Sequence, residues 1–277
     1  LALSMIVKGD EDVNALFRCL ATSAKFVDGI FIVITSEDKE RKIQDLAKKF
    51  GATVEYKPEE FHIEVTEEMI EWHKKFFEAD PFSKAGDKIF QFDKARNYAM
   101  GMIPKEYDWM IWLDSDDVLR EGHLLKEIIK WGENLHPPVD SIFFNYLYQV
   151  EVSPEGQILH VLIEHLRERL VKIEKYQWVA PIHETLIEKT QTNRVDVGEW
   201  YLQTKVVPPD VVHLTHGERM MSALQRNLRI LELAVYNTKG EDPRQLYYLG
   251  KALFDLRTPE MMDRADKLFR KYLGMDG

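Results

Sequence analysis

Three carboxylates within four residues directly follow an apolar segment of strand length. The apolar segment is residues 109–113, and the cluster that follows it is Asp114, Ser115, Asp116 and Asp117. An unbroken apolar run favours a buried strand of a parallel sheet, and ligands of open α/β sheets bind beyond the carboxyl ends of such strands. Acidic side chains placed there need a cationic partner, and a hard divalent metal with oxygen ligands is suited to that role. The pattern predicts a metal site; the alternative is a solvated turn in which Asp117 is the N-cap of the next helix.

The elements that must position this cluster alternate between strand and helix in the first half of the chain. Apolar runs predict strands at residues 3–7, 30–34 and 53–56, and helical spacing predicts helices over 10–23, 39–50 and 93–102. Gly51 is placed to end the second helix. This alternation predicts an α/β fold with a mostly parallel, Rossmann-like sheet covered by helices.

The second half of the chain has a different pattern. Residues 141–152 and 158–163 are β-rich around a turn at 154–156, residues 211–214 form a further apolar strand, and helical patterns continue from 222. We expect a catalytic domain over 1–218 and a helical extension over 219–277. Residues 58–88 form an insertion with an amphipathic helix at 67–77. That helix is expected to pack on the edge of the sheet, with a mobile lid over the site as the alternative.

The composition is ordinary for a globular protein, with 45% hydrophobic and 30% charged residues among 277. The net charge of −10 argues against binding of nucleic acid through overall charge. A single cysteine, Cys19, is expected in the core, which excludes a disulfide framework and favours a cytoplasmic location. We expect no signal peptide and no membrane span, because the apolar start is short and charged residues follow it. The start at Leu1 leaves open that the chain is a fragment of a longer protein.

Several short segments in one order resemble a known enzyme family. They are residues 4–11, 32–36, 48–52, 92–99, 108–117 and 182–184. Together they are similar to the family 2 glycosyltransferases with the GT-A fold. The similarity is greatest to a bacterial subgroup with C-terminal tetratricopeptide-like helices, which includes the peptide S-glycosyltransferases of glycocin biosynthesis.

The resemblance implies a nucleotide-sugar site around the acidic cluster. Asp114 would face the ribose and Asp116 would bind Mn²⁺ or Mg²⁺, with Asp114 as a further ligand and His213 completing the metal shell; His216 stays open as the alternative histidine. The donor, a UDP- or GDP-sugar, would also contact residues in the loops after the first two strands, in the fourth helical segment and in the acidic cluster. These are Val7, Lys8, Asp10, Thr35, Ser36, Arg96 and Ser115.

The resemblance also implies a catalytic base. In an inverting transfer a carboxylate takes the proton of the acceptor, and Glu184 is the candidate, with His183 as its neighbour or alternate. The alternative for both residues is a structural pair in a loop. Arg169 and Lys172 resemble phosphate-contacting residues of the family, with a surface strand as the alternative.

The chain departs from the family pattern at two positions. Gly9 and Asp10 stand where Asn and Glu are usual, and Thr35 and Ser36 stand where an acid often contacts the nucleobase. The nucleobase is therefore left open by the sequence.

The end of the chain carries a tetratricopeptide-like pattern. Leu249 and Gly250 in one helix are followed by Ala265 and Phe269 in the next. Since one such repeat cannot bury its own apolar face, it must dock on the catalytic domain, continue in further sequence or form a homodimer. It would provide a surface for an acceptor such as a peptide or a glycan.

The leading hypothesis is a metal-dependent glycosyltransferase. One alternative is a nucleotidyltransferase that makes sugar nucleotides, although the acidic loop at 8–11 is unlike the Gly-rich basic loop of that class. The other is a non-catalytic scaffold that binds sugar nucleotides and acts through its helical tail.

Overall fold

A computed structural model describes residues 1–153, 156–214 and 220–274, with side chains described from residue 223 in the last range. The strands are β1 (Ala2–Val7), β2 (Gly29–Ile34), β3 (Thr53–Tyr56), β4 (His62–Glu64), β5 (Lys88–Phe90), β6 (Trp109–Trp112), β7 (Asp117–Arg120), β8 (Ser141–Val152), β9 (Ile158–Lys172), β10 (Tyr176–Val179), β11 (Thr185–Glu188), β12 (Arg194–Asp196) and β13 (Asp210–His213). The helices are α1 (Val13–Ser23), α2 (Lys42–Lys49), α3 (Glu67–Phe77), α4 (Phe92–Gly101), α5 (Leu125–Glu133), α6 (Val197–Thr204), α7 (Met220–Asn237), α8 (Pro243–Asp255) and α9 (Pro259–Leu273).

The central sheet has the strand order β3-β2-β1-β6-β9-β8-β13-β7, with β12 beside β8. Strands β3, β2, β1 and β6 run parallel, whereas β9 is antiparallel to both β6 and β8. This is the α/β class that the sequence predicts, with a mostly parallel sheet followed by C-terminal helices. Because β2, β1 and β6 are parallel neighbours, the loops that follow them lie at one edge of the sheet.

The chain divides into two compact units. The first consists of residues 1–60, 94–179 and 186–215, and the second of residues 61–93, 180–185 and 216–277. In the first unit the core is formed by buried aliphatic side chains of the sheet and the helices that cover it, among them Leu3, Ile32, Ile111, Leu16 and Leu125.

Local sequence explains where several helices begin. Asp12 caps α1, since its side chain accepts a hydrogen bond from the Asn14 amide at 2.9 Å. Asp242 and Thr258 cap α8 and α9 in the same way, and a proline follows each cap at the first helical position. Gly51, with φ of 77°, follows the end of α2 as expected.

The insertion belongs to the second unit. Its helix α3 has the predicted bounds, and its aromatic face packs on α7: the Trp72 ring lies 5.4 Å from that of Tyr236. Beneath this face, Glu232 of α7 accepts a hydrogen bond from the Phe82 amide at 2.9 Å and lies 3.0 Å from His73. The packing partner of α3 is thus a helix rather than the expected sheet edge. None of the described helices is both long enough and apolar enough to cross a membrane.

Candidate functional site

The acidic cluster forms a tight turn between β6 and β7. The Asp117 amide donates to the Asp114 carbonyl at 3.1 Å, and the Asp114 amide donates to Asp117 Oδ2 at 2.9 Å. Asp117 then begins β7, so its expected alternative role as a helix N-cap is wrong. The turn follows the carboxyl end of β6, where the sequence predicts a ligand site.

His213 reaches this turn because β13 pairs with β7. The two strands are antiparallel, and His213 lies opposite Asp117 in the register. Its Nδ1 atom is 3.4 Å from Asp116 Oδ1 and 3.3 Å from Asp117 Oδ1. His216, the alternative ligand, lies outside the described residues.

The three carboxylates have different electrostatic surroundings. Asp114 accepts a hydrogen bond from Arg96 Nη2 at 2.7 Å; although burial raises the pKa of Asp114, the charges of Arg96 and Arg169 lower it to about 2. For Asp116, burial is the main cause that raises the pKa to about 6, against the opposing influence of His213. Asp114 is thus held ionised by a cation, whereas His213 compensates the charge of Asp116 less strongly within the part of the chain that the structure describes.

Asp117 is fully buried and belongs to an internal ion pair. Its Oδ2 atom is 3.1 Å from Arg169 Nη1, and its Oδ1 atom accepts a hydrogen bond from the Tyr146 hydroxyl at 3.2 Å. Arg169 is itself fully buried between the rings of Trp112 and Tyr146, at 3.9 and 4.2 Å from their centroids. A surface position for Arg169 is therefore wrong, and its guanidinium neutralises the turn from inside the protein. Lys172, by contrast, is partly exposed and lies 3.1 Å from Asp140.

Arg96 lies beside a pair of tryptophan rings that contact each other edge to face, with their centroids 4.9 Å apart. The guanidinium lies 4.9 Å from the ring centroid of Trp112 and 5.0 Å from that of Trp178. The neighbouring Asn97 exchanges two hydrogen bonds with the backbone of Trp178, at 2.8 and 2.9 Å, which fixes α4 beside β10. The position of Arg96 on Asp114 is thus supported by contact of the guanidinium with both tryptophan rings.

The loops after β1 and β2 meet at the same edge of the sheet. The Gly9 amide donates to Ser36 Oγ at 2.8 Å, and the Thr35 hydroxyl donates to the Val7 carbonyl at 3.3 Å. Thr35 and Val7 are buried, whereas Lys8 and Asp10 are exposed. The predicted donor-binding residues of these loops therefore fall into two groups, one that joins the loops and one that faces solvent.

The space around residue 9 admits only a glycine. A Cβ atom built on Gly9 would lie 2.2 Å from the Glu37 carbonyl oxygen and 2.5 Å from the Asp38 amide nitrogen. The close approach of two backbones leaves no room for a side chain. An asparagine, as in the pattern that the sequence resembles, would not fit at this position.

The side chains close enough to hold a metal ion together are, within the described part of the chain, Asp116, Asp117 and His213. Their ligand atoms lie within 4.8 Å of one another. Since Asp117 is already paired with Arg169, Asp116 and His213 are the two whose ligand atoms are best available. A carboxylate with an imidazole fits Mn²⁺, and the oxygen ligand fits Mg²⁺. Asp114, predicted as a further ligand, is engaged by Arg96.

His183 and Glu184 lie in the second unit, in the segment before β11. The His183 ring stacks on Tyr248 of α8 with centroids 4.4 Å apart, and its carbonyl accepts a hydrogen bond from Arg244 Nη2 at 2.9 Å. His183 has a φ of 50°, so two contacts with α8 hold it in a backbone conformation that is uncommon for histidine. Glu184 is partly buried and lies close enough to Arg226 for its charge to raise the pKa of that residue, which burial lowers overall.

Comparisons with known proteins give remote structural likenesses. Neither a protein-family model nor a curated protein matches the sequence. The fold is similar to 4-diphosphocytidyl-2C-methyl-D-erythritol synthase from Anaerococcus prevotii, with a TM-score of 0.33 and 12% identity over 62% of this chain and 71% of that one.

It is also similar to residues 1–349 of S. aureus TarS, with a TM-score of 0.35 and 9% identity over 99% of this chain and 71% of that one. The same TarS fragment in complex with UDP gives 0.33 and 10% over 98% and 70%. Because likenesses at these TM-scores carry no information about function, the function is inferred from the geometry of the site.

Proposed function

We propose that the protein is a metal-dependent glycosyltransferase that moves a sugar from a nucleotide-sugar donor to an acceptor with inversion at the anomeric carbon. The observation that carries this proposal is the approach of His213 to Asp116 at the end of β6, 3.4 Å apart and at the edge of the sheet where ligands bind. A carboxylate with a raised pKa beside a histidine is a ligand pair that a divalent cation would stabilise.

Asp116 and His213 would hold Mn²⁺ or Mg²⁺, with Asp114 facing the ribose. When bound, the ion neutralises the negative charge of the donor diphosphate and of the leaving nucleotide. Arg96, whose guanidinium is paired with Asp114, orients that carboxylate and adds positive charge near the site. The loops of the nucleotide pocket would be held together by Val7, Thr35 and Ser36. The pocket would be completed by Lys8, Asp10 and Ser115.

Glu184 would act as the base that takes the acceptor proton, with His183 beside it. The two contacts of His183 with α8 fix the backbone next to Glu184, which supports a role that requires a defined position. Donor and metal would be bound by other residues, so the two roles can be separated by mutation.

The helical extension would bind the acceptor, as a peptide or a glycan, or join two copies of the chain. In α8, Gly250 lies against the ring of Phe269 in α9: a Cβ on Gly250 would be 2.8 Å from Phe269 Cε1. The close packing of α8 on α9 supports a tetratricopeptide-like extension over 219–277. This extension would follow a catalytic domain over 1–218.

A thermal-shift screen tests the proposal. UDP, GDP and their sugar conjugates are added with and without Mn²⁺; a ligand at about 100 times its Kd stabilises a protein by about 2.7 kcal/mol. We expect a rise in Tm for one nucleotide class, and only with Mn²⁺.

The matched control is Asp108→Asn, an exposed carboxylate that precedes β6 at the opposite end. It should retain the metal-dependent rise, whereas Asp116→Asn should lose it. A nucleotide response that is equal with and without the metal would contradict the proposal.

A further inference from the structure

A basic cavity lies in the second unit between the β4–β5 hairpin and α7. Its volume is about 380 Å³, and three cationic side chains line it, Lys88, Arg226 and Arg229, together with His62 and Phe90. None of the described residues that line it is acidic. In a chain with a net charge of −10, a cavity lined by cations is a local inversion of charge that favours an anionic ligand.

Arg226 is the best positioned of these cations. Its Nε and Nη2 atoms donate to Asn227 Oδ1 at 3.1 and 2.9 Å, and its guanidinium lies 5.4 Å from the ring centroid of Phe92. These contacts fix the planar guanidinium. Among the described residues, the Nη1 atom has no hydrogen-bond partner. A fixed guanidinium binds a phosphate or a carboxylate with less loss of side-chain entropy than a mobile one.

Two further groups bear on the cavity. Arg229 is about half exposed and lies 3.7 Å from Asp87, a distance and exposure at which an ion pair is weak and a ligand can compete with it. His62 Nδ1 is buried and has no hydrogen-bond partner among the described residues. A buried polar atom of this kind is stabilised when a ligand supplies the missing hydrogen bond.

We propose that this cavity binds a phosphate or carboxylate group of the acceptor. The assignment to the acceptor rests on the proposed function, because Glu184, the candidate base, belongs to the same compact unit as the cavity. An anionic group held by Arg226 and Arg229 would bring the rest of the acceptor molecule near that base within the same unit. The acceptor would therefore carry an anionic group rather than be a neutral molecule.

Binding of inorganic phosphate, measured by calorimetry on the full chain without metal or nucleotide, tests the site. We expect Arg226→Gln and Arg229→Gln each to weaken phosphate binding by about tenfold or more, since each change removes a charged hydrogen-bond donor. Acetate in a parallel titration distinguishes the source: tighter binding of acetate assigns a carboxylate, and tighter binding of phosphate assigns a phosphate group.

The matched control is Arg270→Gln, which removes an exposed arginine of α9 outside the cavity and should leave phosphate binding unchanged. Arg229→Gln keeps the test valid if Arg226→Gln fails to fold, because its side chain is half exposed. Absence of phosphate and acetate binding, or equal binding by wild type and both cavity variants, would overturn the inference.

The same variants separate this inference from the proposed function. Binding of UDP or GDP with Mn²⁺ should be unchanged in Arg229→Gln. If phosphate binds in the cavity but no nucleotide binds with Mn²⁺, the glycosyltransferase proposal fails and the anion site stands. If nucleotide binds and phosphate does not, the anion site fails alone.

Discussion

At the scale of single residues, one turn holds three carboxylates in three different environments. Asp114 is paired with Arg96, Asp117 is buried against Arg169, and Asp116 lies 3.4 Å from His213. Internal cations thus compensate two of the charges, and the third carboxylate has a pKa raised to about 6. This difference identifies Asp116 as the carboxylate that gains most from an added cation.

The buried pair of Arg169 and Asp117 should contribute strongly to stability. Replacing Arg169 by Gln would leave a buried carboxylate without its cation, and we expect a loss of about 3–5 kcal/mol in the free energy of unfolding, measured by urea denaturation. The control is Arg120→Gln, which breaks an exposed pair with Asp210 whose Nε–Oδ1 distance is 2.6 Å. That change should cost about 1 kcal/mol or less. Similar losses for the two variants would show that Asp117 does not depend on Arg169.

The proposed base can be tested by an isosteric change. Glu184→Gln keeps the shape of the side chain but removes its capacity to accept a proton, so kcat should fall by about 10²–10⁴-fold with a hydroxyl acceptor. Donor binding, measured by calorimetry, should change little. A thiol acceptor would reduce the penalty, since thiolate forms near neutral pH without much help. Near-normal turnover with a hydroxyl acceptor would move the role to His183 or away from this segment.

The sequence predicts the acidic turn but not the partners of each acid. An apolar run followed by Asp114, Ser115 and Asp116 is a local pattern, and it is placed at the end of a strand as expected. The role of Asp117 depends on Arg169, which is 52 positions away in the chain by residue number, and on the pairing of β7 with β13. Such long-range pairing leaves no local signal, because Arg169 follows Arg167 and Glu168 in a charged segment that resembles a surface strand.

At the scale of elements, the contact between two loops organises the edge of the sheet. The loops after β1 and β2 approach so closely at Gly9 that a methyl group would overlap the backbone at Glu37 and Asp38. Because backbone atoms cannot move aside as a flexible side chain can, Gly9→Ala should displace one loop and lower the free energy of unfolding by about 1–3 kcal/mol.

The affinity of the Gly9→Ala variant for nucleotide should also fall, because both loops are proposed to line the donor pocket. The control is Gly101→Ala at the end of α4, where no atom lies within 4 Å of the added methyl group. It should be neutral or stabilise the protein by up to about 1 kcal/mol. Thermal denaturation and nucleotide titration of both variants measure the two effects, and a stable Gly9→Ala variant with normal affinity would argue against the loop contact.

Hydrophobic periodicity predicts several helices and strands correctly. The bounds of β3, α3 and β8 agree with the prediction, but α1 begins three residues later than expected because Asp12 caps it. Strand β9 runs nine residues beyond its predicted end at Ile163. Its later residues include charged side chains that pair within the sheet, and a pattern based on apolar runs does not identify them.

At the scale of the whole molecule, the chain consists of a sheet-based unit and a helical unit, and residues 61–93 belong to the helical unit. The α/β class and the C-terminal helices are confirmed. The sequence does not predict that residues 61–93 belong to the helical unit. The aromatic residues of α3 indicate that one face of this helix is packed, but they do not indicate which element it packs on. The domain boundary at residue 218 stays a prediction.

The central claim is that Asp116 and His213 form a divalent metal site that binds a nucleoside diphosphate. Electron paramagnetic resonance of free Mn²⁺ measures this directly, since binding removes the signal of the free ion. With UDP or GDP present, wild-type protein and Asp108→Asn should bind Mn²⁺ with the same affinity, and Asp116→Asn should bind it at least about tenfold more weakly, as expected for loss of a charged ligand. Equal Mn²⁺ binding by Asp116→Asn and wild type, or no Mn²⁺ binding by either, would contradict the account.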